Sequence, residues 1–120
     1  MNLITLDEEK FKIVEVEGYT FKIRYISPLD RINITQKRVR LQGGGSVEAL
    51  TQEEFEFIEN ASIVDTCVEK MPKGFKENES CLNWDSHSMI NELAQAIRTH
   101  SSDVEAKLKK NKPDVGIEEE

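Results

Sequence analysis

Two cysteines and two histidines are the residue types in this sequence that bind metals. Cys67, Cys81, His87 and His100 have the spacing C-x13-C-x5-H-x12-H. A structural zinc site contains at least one close pair of ligands, because a short loop fixes two of them at low entropic cost. This spacing has no such pair, so we expect no metal or cofactor. Cys67 is interpreted as a small buried hydrophobic residue, and both cysteines as free thiols.

A second group, Asp85, Ser86, His87 and Ser88, contains a nucleophile and a base. Adjacent residues in the first turn of a helix point in different directions, so they cannot form the hydrogen-bonded geometry of a catalytic triad. Helix capping explains Asp85 and Ser86 without chemistry. We therefore predict no catalytic residues and expect that the protein is not an enzyme.

Two further stretches resemble functional motifs only superficially. The segment QGGGS at residues 42–46 lacks the Gly-Lys-Ser/Thr ending of a phosphate-binding loop and is interpreted as a flexible linker. The carboxylates of Glu53, Glu54, Glu56 and Glu59 fall at the start of a predicted helix, where they favour the helix dipole. A solvated face is the preferred interpretation of these four residues.

The charge distribution limits the classes of partner. The chain has 120 residues and a formal charge of −7; residues 1–46 carry +2 and residues 47–120 carry −9. Nucleic acid as the main partner would require a clustered basic face, so we do not expect it. No apolar run approaches the length of about 20 residues that crosses a bilayer, and no signal peptide is visible. We expect a cytoplasmic protein without a membrane partner.

The elements that would position any site begin with a β-hairpin at residues 11–26. Apolar and polar residues alternate on both sides of Glu17-Gly18, which is typical of two strands joined by a tight turn with one buried face. The residues assigned to the apolar face are Phe11, Ile13, Val16, Tyr19, Phe21, Ile23 and Tyr25.

Two capped helices follow the hairpin. Ser27 and Asp30 form a capping box for a helix at about 28–41, and Thr51 and Glu54 form another for a helix at about 52–71. In the first helix one side is apolar, with Ile34 off it; this side comprises Leu29, Ile32, Gln36 and Val39. Pro72 and Gly74 then end the second helix.

The last predicted helix covers about 86–110, with Trp84 beside its start as a structural anchor. Its apolar stripe continues to Val104 and Leu108. A helix of this length would measure about 37 Å, whereas a compact domain of this size is about 34 Å across. Ser102 and Glu105 could form a third capping box and restart the helix. We therefore expect the helix either to break or to project, leaving Val104 and Leu108 uncovered.

Together these elements predict a single domain over residues 1–110. Its class is α+β and mostly helical, with an N-terminal β-hairpin followed by three helices, or four if the last one breaks. Residues 111–120 are expected to form a disordered acidic tail. For the core we expect Ile90, Leu93 and Ile97 to pack on the second helix, against Ile58, Val64 and Val68.

The order of elements resembles the tail assembly chaperones of long-tailed, lambda-like phages. The resemblance rests on the stretch FKIVEVEGYTFKIRYISPLDRINITQKR, which has the order strand, Gly turn, strand, Ser and helix, and it extends in outline over residues 11–110. It implies a non-catalytic protein that binds the tape measure protein, keeps it soluble and helps to bring tail tube subunits to it. It also implies a protein of the host cytoplasm that is absent from the mature virion.

The residues expected to contact the client or a second copy of the chain are apolar residues of the hairpin and of the last helix: Tyr19, Phe21, Tyr25, Val104 and Leu108. Two alternatives remain open at this point. One is a small acidic regulatory or inhibitory protein that binds a single host protein. The other is a structural connector of the phage tail or head.

Overall fold

The computed structural model describes residues 10–43, 50–75 and 79–110, so the predicted acidic tail lies outside the described residues. The α+β class, with a hairpin followed by helices, is confirmed. The elements, in chain order, are β1 (Phe11–Val16), β2 (Tyr19–Arg24), α1 (Pro28–Leu41), α2 (Gln52–Cys67), β3 (Val68–Lys70), a 3₁₀ turn (Cys81–Asn83) and α3 (His87–Lys110). The strands form one antiparallel sheet in the order β1-β2-β3.

The hairpin turn consists of Glu17 and Gly18, whose φ angles are 52° and 85°. Positive φ at both central residues of a two-residue loop is the mark of a type I′ turn, whose twist matches that of the strands. The turn sets the register, in which Val14 lies opposite Phe21 and Val16 opposite Tyr19. These four residues therefore share the face of the sheet that is turned toward the core.

This register shows that the predicted inner face of β1 is wrong. Phe11 and Ile13 alternate with Val14 and Val16, so they lie on the outer face, where they are 38% and 62% exposed. Val16 is buried, and Val14 is half-buried against the core. Strand β1 has apolar residues on both of its faces, so the sequence pattern allows either face to be buried. The register that the turn sets determines which face lies toward the core.

The predicted end of the second helix, at residue 71, is also wrong, because α2 ends at Cys67. The N–H of Val68 still donates to the carbonyl oxygen of Val64, but Val68 itself has extended dihedral angles. It then pairs with Ile23 at the edge of β2, past a register shift. A β-branched residue is favoured in a strand, and the open edge of β2 provides its partner.

Helix α3 does not break at Ser102. It is continuous over 24 residues, a length of about 36 Å. The molecule measures 49 Å along its longest axis and has a radius of gyration of 16.5 Å, compared with the ~13 Å assumed for a compact domain. In this elongated molecule the helix is covered as far as Val104, which is buried, whereas residues 105–109 are exposed except for the half-buried Leu108.

The main core lies between the inner face of the sheet and the helices α2 and α3. Ile90, Leu93, Ile97 and Val64 are buried as predicted, whereas Ile58 is only half-buried. The second half of α3 is attached to the hairpin by polar contacts. The N–H of Ile26 donates to Ser101 Oγ at 2.8 Å, and His100 Nε2 lies 3.0 Å from the carbonyl oxygen of Lys10.

Candidate functional site: the outward face of α1

The rotation of α1 about its axis is determined at its first turn. The N–H of Asp30 donates to Ser27 Oγ and the N–H of Ser27 donates to Asp30 Oδ2, each at 3.1 Å, which completes the capping box. Asp30 is buried and receives hydrogen bonds from Arg24 of β2, from Nη2 at 2.7 Å and from Nε at 3.2 Å. Since Arg24 belongs to the sheet, this pair turns Asp30 toward the body of the protein.

The charge on Asp30 is stabilised in this position. Burial by itself raises the pKa of this carboxyl group, but the hydrogen bonds from Arg24 and Ser27 outweigh burial and lower the pKa below its ordinary value. The guanidinium of Arg24 also bonds Glu69 of β3. One arginine therefore links the sheet to the start of α1.

The other basic residues of the inner half of α1 are also engaged within the protein. Lys37 Nζ lies 3.6 Å from Asp65 Oδ2, and Arg31 Nη2 lies 3.1 Å from Glu105 Oε2. The guanidinium carbon of Arg38 lies 5.0 Å from the centre of the Phe55 ring. These contacts, with the buried side chain of Ile34, define the inner face of α1 and leave Arg40 as the charged residue nearest to its outer face.

The outer face of α1 is apolar. Leu29, Ile32 and Val39 are 65%, 56% and 46% exposed, and the exposed Gln36 lies between the last two. At 100° per residue these four positions lie on the side of the helix opposite Ile34. We call Leu29, Ile32, Gln36 and Val39 the α1 stripe. Its spacings of three, four and three residues are those of a helix that packs against another helix.

The dimensions of the α1 stripe fit one helix. The 14 residues of α1 span about 21 Å, and a helix with its side chains is about 10–12 Å wide. The contact area is thus a few hundred Å² on this side, well below the roughly 800 Å² per partner of a stable complex between two globular proteins. The stripe alone is therefore better suited to a single helical segment than to a second folded copy.

The sequence pattern predicts the α1 stripe as an apolar side of the helix, but it does not show that this side faces solvent. The opposite side contains Asp30, Ile34 and Lys37, so apolar content alone favours burial of the stripe. The stripe nevertheless faces solvent, because Asp30 pairs with Arg24 and Lys37 pairs with Asp65 on the opposite side of the helix. The two members of each pair lie in different elements, and no local pattern shows the pairing.

Two of the residues predicted to contact a partner are buried, so the expectation that their side chains are available to a partner is wrong for this structure. Val104 is 2% exposed, because α3 continues beside the hairpin and its polar contacts at His100 and Ser101 hold this segment against the rest of the chain. Phe21 is 1% exposed, because it lies on the inner face of β2 and packs against Phe75 and Trp84.

The other three predicted contact residues differ in exposure. Tyr19 is 44% exposed at the end of the hairpin, whereas Tyr25 and Leu108 are half-buried. Trp84 packs against the core through Phe21 and Phe75, with ring centres 5.9 Å and 5.1 Å apart. The structure thus gives Trp84 the anchoring position that the sequence predicts for it.

The two cysteines lie inside the protein as thiols. Burial and, after it, the nearby charge of Asp30 raise the pKa of Cys67 to about 12. Burial likewise raises the pKa of Cys81, with Asp65 as the second cause. Neither thiol has the exposure or the lowered pKa of a reactive cysteine. Within residues 10–43, 50–75 and 79–110, no group of three or more His, Cys, Asp or Glu residues could hold a metal ion.

Comparisons with known proteins complete the description of the chain. Among the helices of the described residues, none combines the length and the hydropathy needed to cross a bilayer. No protein-family model, no curated protein and no solved structure matches this chain.

Proposed function

We propose that this protein is a non-catalytic tail assembly chaperone of a long-tailed phage, and that it binds apolar helical segments of the tape measure protein. The observation that carries the proposal is the α1 stripe, three aliphatic side chains at helix-packing spacing on the solvent side of a helix. The order of hairpin, Ser-capped helix and two further helices, on which the resemblance to these chaperones rests, supports the same function.

In this proposal a segment of the client helix lies along α1 and covers Leu29, Ile32 and Val39. Full burial of one aliphatic side chain contributes about 1.5–3 kcal/mol, and these three are already partly covered. Association itself costs at least about 4 kcal/mol, so each contact is weak. Weak contacts repeated along a long client keep it soluble and still allow release when the tail tube assembles.

The same function implies a location in the cell and further partners. The protein acts in the host cytoplasm, helps to bring tail tube subunits to the tape measure protein and is absent from purified virions. Copies that line up along one client also come close to each other, so a second copy of the chain is a further proposed partner.

Co-expression with the tape measure protein of the same genome tests this function. The wild-type protein should keep the client in the soluble fraction, and the double variant Ile32→Asp with Val39→Asp should lose this activity while remaining folded by circular dichroism. The matched control is Ile13→Asp, which removes an equally exposed isoleucine from the outer face of the sheet. Equal loss of activity in the control, or full activity in the double variant, would refute the role of the stripe.

Salt dependence separates this function from that of an acidic inhibitor. An apolar contact should persist in about 0.5 M NaCl, where the Debye length falls to a few Å and exposed ion pairs are screened. A complex of one copy with one host protein that dissociates at this salt concentration would favour the inhibitor. Presence in purified particles would favour a structural connector.

A further inference from the structure

A pocket separate from the α1 stripe lies where the hairpin turn meets the start of α3. Its volume is about 520 Å³. Its lining includes Glu17 of the turn, Tyr19 of β2, Phe75, Trp84 and Asp85. Segments that are distant in sequence therefore converge on one cavity.

Aromatic rings form the walls of this pocket. The ring centres of Tyr19 and Phe75 are 5.1 Å apart with an angle of 80° between the ring planes, and those of Phe75 and Trp84 are 5.1 Å apart with an angle of 83°. Tyr19 is 44% exposed, so its ring is accessible from solvent. The faces of such rings carry negative potential and attract organic cations, because the methylene or methyl groups of the cation pack on the ring.

The charged residues of the lining are acidic, so they also attract cations. Glu17, Glu79 and Asp85 line the pocket together with neutral residues, and none of the lining residues that the structure describes is basic. The carboxylate of Glu17 is held in place by hydroxyl groups, since Ser86 Oγ donates to Glu17 Oε1 at 2.9 Å and Ser88 donates to Glu17 Oε2. Hydroxyl donors fix the carboxylate without neutralising its charge.

We propose that this pocket binds an organic cation, namely the alkylammonium or guanidinium group of a lysine or arginine side chain from a partner protein. The charged group lies between the carboxylates of Glu17 and Asp85, and the aliphatic chain packs on Tyr19 and Trp84. The aromatic walls favour such a group over a hydrated metal ion, which requires converging oxygen ligands. The site does not depend on the proposed chaperone function.

The single tryptophan of the chain provides the test, because Trp84 lies in the pocket. The indole N–H resonance of Trp84 is followed by NMR during titration with the acetyl methylamides of lysine, arginine and norleucine. The two basic compounds should shift the resonance to saturation, and neutral norleucine should not. Saturation by norleucine amide at the same concentrations, or no saturation by any organic cation tested, would refute the proposal.

Matched variants locate the site. Glu17→Gln keeps the size of the side chain and should weaken binding of the basic amides by at least about threefold, in line with a cation–π and carboxylate site. Glu15→Gln changes the net charge equally on the exposed side of β1 and should leave binding unchanged. Equal weakening by both variants would show a nonspecific effect of net charge and overturn the assignment.

Titration with choline and spermidine distinguishes the source of the cation. Tighter binding of the lysine or arginine amide than of these free amines supports a side chain of a partner protein. Saturation by choline or spermidine at lower concentration would overturn the assignment to a protein side chain, while the pocket would remain a site for organic cations.

Discussion

Asp30 shows at the scale of single residues how a charge determines which side of a helix is buried. Its carboxylate caps α1, accepts two hydrogen bonds from Arg24 and is 4% exposed. A buried charge is tolerated only when it is paired and hydrogen-bonded, so the position of Arg24 on β2 dictates where Asp30 must lie. The orientation of α1, and with it the exposure of the stripe, depends on this pair.

Removal of the charge of Asp30 should therefore destabilise the fold. Asp30→Asn leaves Arg24 without its main buried partner, and we expect the free energy of unfolding to fall by about 2–3 kcal/mol in urea titrations. The matched control is Glu105→Gln, which breaks the exposed pair with Arg31 and should change stability by no more than about 0.5 kcal/mol. Equal effects of the two variants would contradict the role given to Asp30.

The same group predicts a dependence of stability on pH. The pKa of Asp30 is lower in the folded protein than in the unfolded chain, where it is about 3.9. Its contribution is complete above the unfolded pKa and is lost as the pH falls through the folded pKa. Between about pH 5 and pH 3 the wild-type protein should lose more stability than Asp30→Asn, and parallel curves would refute this.

At the scale of elements, helix α1 contains two isoleucines in opposite environments. Ile34 is 8% exposed and belongs to the core cluster, whereas Ile32, two residues earlier, is 56% exposed. The two residues are of the same type and lie in the same helix. Substituting each of them therefore distinguishes the face that stabilises the fold from the face that is available to a partner.

Alanine substitutions should reveal this difference directly. Ile34→Ala should lower the free energy of unfolding by about 2–4 kcal/mol, the usual cost of truncating a buried isoleucine. Ile32→Ala should change it by about 0.5 kcal/mol or less and should weaken client binding instead. If Ile32→Ala proves as destabilising as Ile34→Ala, the outward orientation of the stripe is wrong.

The elements themselves were largely predictable from local signals. The capping boxes at Ser27 and Thr51 begin helices whose first residues the structure places directly after them, and the glycine turn produces the expected hairpin. Strand β3 was not predictable, since Val68 continues the helical spacing of α2 and becomes a strand only because the edge of β2 lies beside it. Local chemistry thus specifies where elements begin, and long-range partners decide where α2 ends.

The shape of the whole molecule explains why the predicted exposure of Val104 is wrong. The expectation of exposed residues at the end of α3 assumed a compact body, whereas the chain extends over 49 Å and buries Val104. The α1 stripe, whose aliphatic side chains are exposed, lies instead near the other end of the sequence. Their exposure follows from pairs such as Arg24 with Asp30, which become visible only when the elements are assembled.

Site-specific photo-crosslinking in cells tests the central claim, contact between the α1 stripe and the tape measure protein, most directly. A benzoylphenylalanine placed at Ile32 should form a crosslink to the tape measure protein, and the same group at Thr99, an exposed residue of α3, should not. Crosslinks from position 99 without any from position 32 would contradict the account.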